Sequence, residues 1–126
     1  MNPEKKFQKW LQSKIPGHWQ NLEALNSPGL PDVNVCYRAV EVWLELKGEK
    51  VWLRRHQYAW GMRRAKVGGR CFILGHPLED SIWIWKYPFS VMIKGEYVLP
   101  HISEMNVVGI INIDLLCSLL FDNPRL

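Results

Sequence analysis

The clearest regularity in the chain lies between Gly29 and Lys47, where apolar and polar residues alternate twice with a break at Arg38-Ala39. Val33, Val35 and Tyr37 share one parity against Asp32, Asn34 and Cys36. Val40, Val42, Leu44 and Leu46 then alternate with Glu41, Trp43, Glu45 and Lys47. A period of two predicts half-buried strands, and two such runs joined by so short a gap predict an antiparallel hairpin. If Arg38 and Ala39 are the loop, Tyr37 faces Val40 and Asp32 faces Glu45. A loop from Tyr37 to Val40 keeps that register; a three-residue loop shifts it by one and puts the carboxylates on opposite faces. Arg-Ala is not a favoured two-residue turn pair. In the first register Lys47, two residues past Glu45, shares its face, so two carboxylates and an ammonium converge on the polar side of the hairpin. Directly opposed like charges destabilise a strand pair, and a divalent cation with oxygen ligands would compensate them.

The flanking patterns predict the other elements. Asn2 caps a first helix with Pro3 at its first position and Phe7, Trp10 and Leu11 on one face; Pro16-Gly17 ends it. His18 to Leu25 reads as a strand and Asn26-Ser-Pro-Gly29 as a turn, with Gly29 permitting a close backbone approach and Pro31 fixing φ ahead of Asp32. A helix is expected from about Val51 or Trp52 to Val67, closed by Gly68-Gly69. On it Leu53, Gln57, Trp60, Gly61 and Arg64 share the packing arc, so Gln57 is an amide that needs polar partners. It can take them from the backbone at the helix start or from the Asp32–Glu45–Lys47 cluster. Arg70 to Gly75 reads as a central strand parallel to its predecessor through the helical crossover, left at His76-Pro77. Ser81 to Tyr87 reads as a further strand and Val91 to Lys94 as a short one, with Gly95 to Leu99 unassigned. An apolar helix from about Asn112 to Phe121 closes the chain, its Leu115, Leu116, Leu119 and Leu120 stripe fit for the sheet or for a second subunit. Trp83 and Trp85 are either packing residues or a base-stacking surface.

Pro31-Asp32 followed by Glu45-Leu46-Lys47 resembles the signature of the PD-(D/E)XK nuclease superfamily. Gly29-Leu-Pro-Asp32 ahead of a strand, Glu45-Leu-Lys-Gly48, and Gln57 ten residues past Lys47 are similar to the VRR-NUC group and its Holliday-junction-resolvase relatives. The match runs from about Glu4 to Gly75. The resemblance implies a restriction-endonuclease-like α/β (α+β) fold, a mixed central sheet flanked by helices in one domain over residues 1–126. It implies Mg²⁺-dependent hydrolysis of DNA phosphodiesters, Mn²⁺ substituting, on Holliday junctions or other branched DNA. Asp32, Glu45, Lys47 and Gln57 would be the catalytic set. Asp32, Glu45 and the Leu46 carbonyl would hold the metal, joined by Glu4, which matches an acidic residue near the start of the first helix in resolvase-like relatives, or by its rival Glu23. Glu4 can equally serve only to complement the helix dipole. Resolvase relatives act as homodimers, and the terminal leucine stripe is a candidate interface. Glu41, on Glu45's face but about 13 Å along the strand, should be dispensable.

Charge sharpens the expectation. From Glu45 to Arg70 there are eight Lys or Arg against two Glu, in a chain of 126 residues with a net charge of +4. Lys50, Arg54, Arg55, Arg63, Arg64 and Lys66 are therefore the candidate nucleic-acid contacts, because phosphate pairing dominates such affinity. The rival readings are a non-catalytic nucleic-acid-binding module of the same fold and, given seven Trp, an aromatic carbohydrate- or protein-binding domain. The three cysteines, widely spaced and without C-x-x-C, suggest neither a disulfide framework nor zinc. With no signal-peptide pattern or spanning stretch, the expectation is a cytoplasmic protein with DNA as partner, no membrane and no small-molecule organic cofactor. A nuclease domain this compact resembles those of phages and mobile elements, which would place it in an infected cell.

Overall fold

Residues 2–122 are described in a computed structural model. The first helix, α1 (Pro3–Lys14), is capped as its sequence requires, the Asn2 side chain accepting the Lys5 N–H at 2.8 Å. Strand β1 (His18–Asn21) comes next, then β2 (Val33–Tyr37) and β3 (Val40–Lys47), helix α2 (Arg55–Lys66), and strands β5 (Cys71–Leu78), β6 (Ser81–Lys86) and β9 (Met105–Gly109). These strands form a six-stranded sheet in the order β1-β2-β3-β5-β6-β9. Only the β3–β5 pair is parallel, α2 lying in the crossover between them, so the sheet is mixed as expected. A second, three-stranded sheet joins β4 (Leu53–Arg54), β8 (Tyr97–Pro100) and β7 (Val91–Lys94). Helix α3 (Ile113–Phe121) ends the described chain, Asn112 capping it.

The hairpin carries the predicted register. Tyr37 faces Val40 and Val33 faces Leu44, the register that, extended one residue beyond β2, sets Asp32 opposite Glu45. Arg38 and Ala39 are the loop, with φ of 55° and 64°. A type I′ turn requires positive φ at both positions, and it is adopted here without Gly or Asn.

Alternation on β2 and β3 divides the interior into two layers. Val33, Val35, Val42, Leu44 and Leu46 point to one face, where Phe7 and Leu11 of α1, Ile15 just past its end, and Leu116, Leu120 and Phe121 of α3 cover them. The opposite face carries Trp43, Glu45 and Ile73, and packs on α2 and the small sheet through Leu53, Tyr58, Trp60 and Val98, with Tyr87 from just past the end of β6. The carboxylates of the hairpin therefore lie in the α2 layer. Leu116 and Leu120 of the terminal stripe are buried on the sheet, Leu119 is half-buried, and Leu115 remains 42% exposed.

Several elements differ from the sequence reading. The strand from His18 stops at Asn21; Glu23–Leu25 form a 3-10 turn. Helix α2 starts at Arg55, and Leu53 sits instead in β4, paired with Val98. Strand β5 does not end before His76-Pro77 but runs on to Leu78 through an irregularity between Gly75 and Leu78. A proline, lacking an N–H, is tolerated where the ladder is already broken. The Gly95 to Leu99 stretch supplies most of β8, and β9 has no counterpart among the elements that the pattern predicts.

Candidate active site

The end of β2 creates the site. Backbone N–H groups along β3 alternate between its two neighbours. The Trp43 N–H bonds to the Arg70 carbonyl on the β5 side, at 2.9 Å. The Leu46 N–H, of opposite parity, therefore points to the β2 side, where β2 has already ended. Asp32 completes the pairing with its side chain, Oδ2 accepting that N–H at 2.7 Å. The carboxyl group is thereby fixed against the β3 backbone beside Glu45.

Glu45 is buried at 7% exposure. Its Oε2 is 3.3 Å from Lys47 Nζ and accepts the Gln57 amide N–H at 3.2 Å. The Gln57 amide oxygen in turn accepts the Arg54 N–H at 2.9 Å and lies 3.5 Å from Lys47 Nζ. The backbone N–H can only donate, so it orients the amide and leaves Nε2 to donate to Glu45. Gln57 thus makes both kinds of contact that its sequence allowed: it caps the start of α2 and braces the cluster.

The electrostatics show a deficit of positive charge. Burial, reinforced by Asp32, pushes the Glu45 carboxyl up to about 8. Burial likewise raises Asp32 to about 6, against the lowering effect of the Leu46 N–H. Lys47 lowers both but does not offset the desolvation. An added cation would favour the charged form of both acids.

These groups line a cavity of about 650 Å³ with Asn2, Glu4, Lys5, Glu23, Trp52, Arg54, His56 and Tyr97. Glu4 and Glu23, read as rivals, both reach it; Glu23 is engaged by Lys5 at 2.8 Å. Both also raise Asp32. Among the described residues, no group of three or more His, Cys, Asp or Glu is gathered closely enough to hold a metal by side chains alone. The donors that the hairpin brings to it are the Asp32 and Glu45 carboxylates, hard oxygens in an open cavity. That suits Mg²⁺, which keeps several waters, and does not suit a closed zinc site.

The basic residues separate. Arg54 lines the cavity, while Lys50, Arg55, Arg63 and Lys66 are exposed. Arg55 donates to the Gly95 carbonyl, and Arg64 lies over the Trp43 and Trp60 rings at 5.0 and 4.7 Å. Lys5, Trp52, His56 and Tyr97 escape a sequence reading, since nothing in their spacing ties them to the hairpin. Trp85 is buried and donates to the His101 carbonyl, a packing role. Glu41 is exposed and borders a different cavity, beside Arg64 and Arg70. Glu41→Ala is expected to change stability by less than about 0.5 kcal/mol, as exposed positions usually do; a thermal melt checks this.

No known family profile matches the chain, and no curated protein matches it in sequence. Its fold does match a solved structure: Hjc of Archaeoglobus fulgidus, a Holliday junction resolvase from an archaeal hyperthermophile. The superposition covers 94% of this chain and 96% of that one, with a TM-score of 0.60 and 7% identity. The fold is that of Hjc. The mixed sheet flanked by helices, which the resemblance implied, is therefore the observed architecture. No helix among the described residues is long and apolar enough to cross a membrane.

Proposed function

We propose that the protein is a Mg²⁺-dependent DNA endonuclease of the PD-(D/E)XK type, acting on branched DNA. The observation that carries the reading is the convergence of Asp32, Glu45, Lys47 and Gln57 on one cavity in a fold shared with a resolvase. The spacing of Gly29-Leu-Pro-Asp32, Glu45-Leu-Lys-Gly48 and Gln57 favours the VRR-NUC group within that superfamily.

In this reading Asp32, Glu45 and the Leu46 carbonyl would hold the ion, with Glu4 or Glu23 reaching it through water. The bound ion supplies an acidified water and charge stabilisation on the phosphate. Lys47, held beside Glu45, orients the attacking water or contacts the phosphate oxygen. Gln57 does not touch the reacting atoms; it keeps Glu45 and Lys47 in place. Arg54 at the cavity wall and the exposed Lys50, Arg55, Arg63 and Lys66 receive the backbone, with Arg64 near the far end of α2. A homodimer would bring two such sites to one junction, with Leu115 as the exposed remainder of its interface.

The test is incubation with branched and linear DNA in Mg²⁺, Mn²⁺ or EDTA. Cleavage with either metal and none in EDTA is expected. Salt-dependent binding without cleavage of any DNA form would establish the non-catalytic module instead. Gln57→Ala is expected to lower activity about 10- to 100-fold and to raise the Mg²⁺ concentration needed for half-maximal rate, as loss of a ligand-orienting partner does. A Mg²⁺ titration of initial rates checks it; an unchanged midpoint would remove Gln57 from the site.

A further inference from the structure

Trp52 and Tyr97 stack at the wall of the catalytic cavity, ring centroids 4.0 Å apart and planes 23° from parallel. Trp52 directly precedes β4, and Tyr97 opens β8. Trp52 is 37% exposed although one ring face is occupied by Tyr97. The other lining groups are charged, amide or imidazole side chains, apart from Leu53, which is 1% exposed. Among the described residues, the ring pair is thus the aromatic surface that the cavity offers.

On the side away from the cavity's carboxylates, basic residues flank it. Arg54 faces Tyr97 across the β4–β8 ladder, and Lys94 faces it across β7–β8. Arg55 clamps the β7–β8 turn, Nε and Nη2 donating to the Gly95 carbonyl at 3.1 and 2.6 Å. The platform is also coupled to the acids. Two residues from Trp52, the Arg54 N–H bonds to Gln57, and Gln57 bonds to Glu45. An aromatic face between cations is how proteins hold single-stranded nucleic acid, with stacking that tolerates any base. In a duplex each base face is covered by its neighbours, so a base reaches such a platform only when unpaired.

We propose that Trp52 and Tyr97 form a stacking subsite for one unpaired nucleobase beside the scissile phosphate. The preferred substrate is then DNA with an unpaired nucleotide at the cut, a flap or single-stranded branch, rather than a fully paired duplex or four-way junction. This deepens the nuclease reading and rests on it, but its test does not need cleavage.

Binding is measured in EDTA by fluorescence anisotropy with three DNAs: a paired duplex, the same duplex with a short flap, and that flap with its junction nucleotide made abasic. Trp52→Ala and Trp52→Leu are expected to weaken flap binding roughly 5- to 150-fold, the usual range for one stacked base, and duplex binding by less than about threefold. Trp52→Phe, which keeps a ring face, is expected to stay within about threefold of wild type on the flap. The abasic flap should bind wild type as weakly as the ordinary flap binds Trp52→Ala, and the two changes together should cost no more than either alone. Equal losses on duplex and flap, or abasic and alanine losses that multiply, would overturn the subsite. Cleavage with Mg²⁺ is scored separately: a wild type that cuts duplex and flap equally well retains the nuclease reading and loses this one.

Discussion

Glu45→Gln is expected to abolish Mg²⁺-dependent cleavage and at the same time to stabilise the metal-free protein at alkaline pH. If Glu45 holds the ion as proposed, losing it should lower the rate by about 10³-fold or more. The gain in stability arises from the same burial. Below its unfolded value of 4.5, Glu45 carries its proton in both states and folding is not opposed. As pH rises from 4.5 to about 8 the unfolded chain releases the proton and the folded chain retains it, so wild-type stability falls across that window. Asp32 adds a smaller fall between 3.8 and about 6. Glutamine keeps the shape and removes the Glu45 titration. Its advantage should be absent near pH 4 and largest above pH 8, on the order of a few kcal/mol. Thermal melts in EDTA from pH 4 to 9 check the prediction; parallel wild-type and variant profiles would contradict it. Added Mg²⁺ should restore the wild type by about 3 kcal/mol at a hundredfold excess over Kd and leave the variant unchanged.

Gly29→Ala is expected to cost stability and activity together. Gly29 has a φ of +82°, and a Cβ there would lie 2.4 Å from the His56 carbonyl oxygen and 3.2 Å from Trp60 Cβ. The first obstacle is helix backbone, which cannot rotate away. Strain of about 1–2 kcal/mol from the left-handed conformation adds to an overpacking cost of about 1–3 kcal/mol. The displacement would also push α2, which carries Gln57, away from the loop that carries Asp32. Activity should fall at least tenfold with raised Mg²⁺ demand, the loss expected when a ligand-orienting contact is broken. Gly68→Ala is the control: its φ is +97° but nothing lies within 4 Å of its added Cβ, so it should strain the chain without moving the site. Melting curves and Mg²⁺ titrations of both variants separate the two effects.

The hairpin was legible because two strands of alternating residues, joined by a short loop, leave few registers, and burial of Val33, Val35, Val42 and Leu44 selects one. The close approach at Gly29 was legible as a requirement, but its partner, the His56 carbonyl, lies 27 residues downstream, as the numbering shows. Strand β4 was hidden because two residues cannot display a period, and Leu53 also fits the packing arc of α2 when the helical spacing is extended backwards. Strand β9 was hidden in an apolar run that continues toward α3. The Trp52–Tyr97 stack joins residues from opposite sides of α2, β5 and β6, a pairing no local pattern encodes. Glu4 and Glu23 could not be separated in the sequence because the fold brings both to the cavity, one from α1 and one from the 3-10 turn.

The cation site itself is tested most directly by soaking crystals in Mn²⁺ and locating the metal from its anomalous scattering. A peak between the Asp32 and Glu45 carboxylates, within coordination distance of the Leu46 carbonyl, is the predicted result. Crystals that bind Mn²⁺ elsewhere, or bind none while Lys47 remains the sole cation against Glu45, would contradict it.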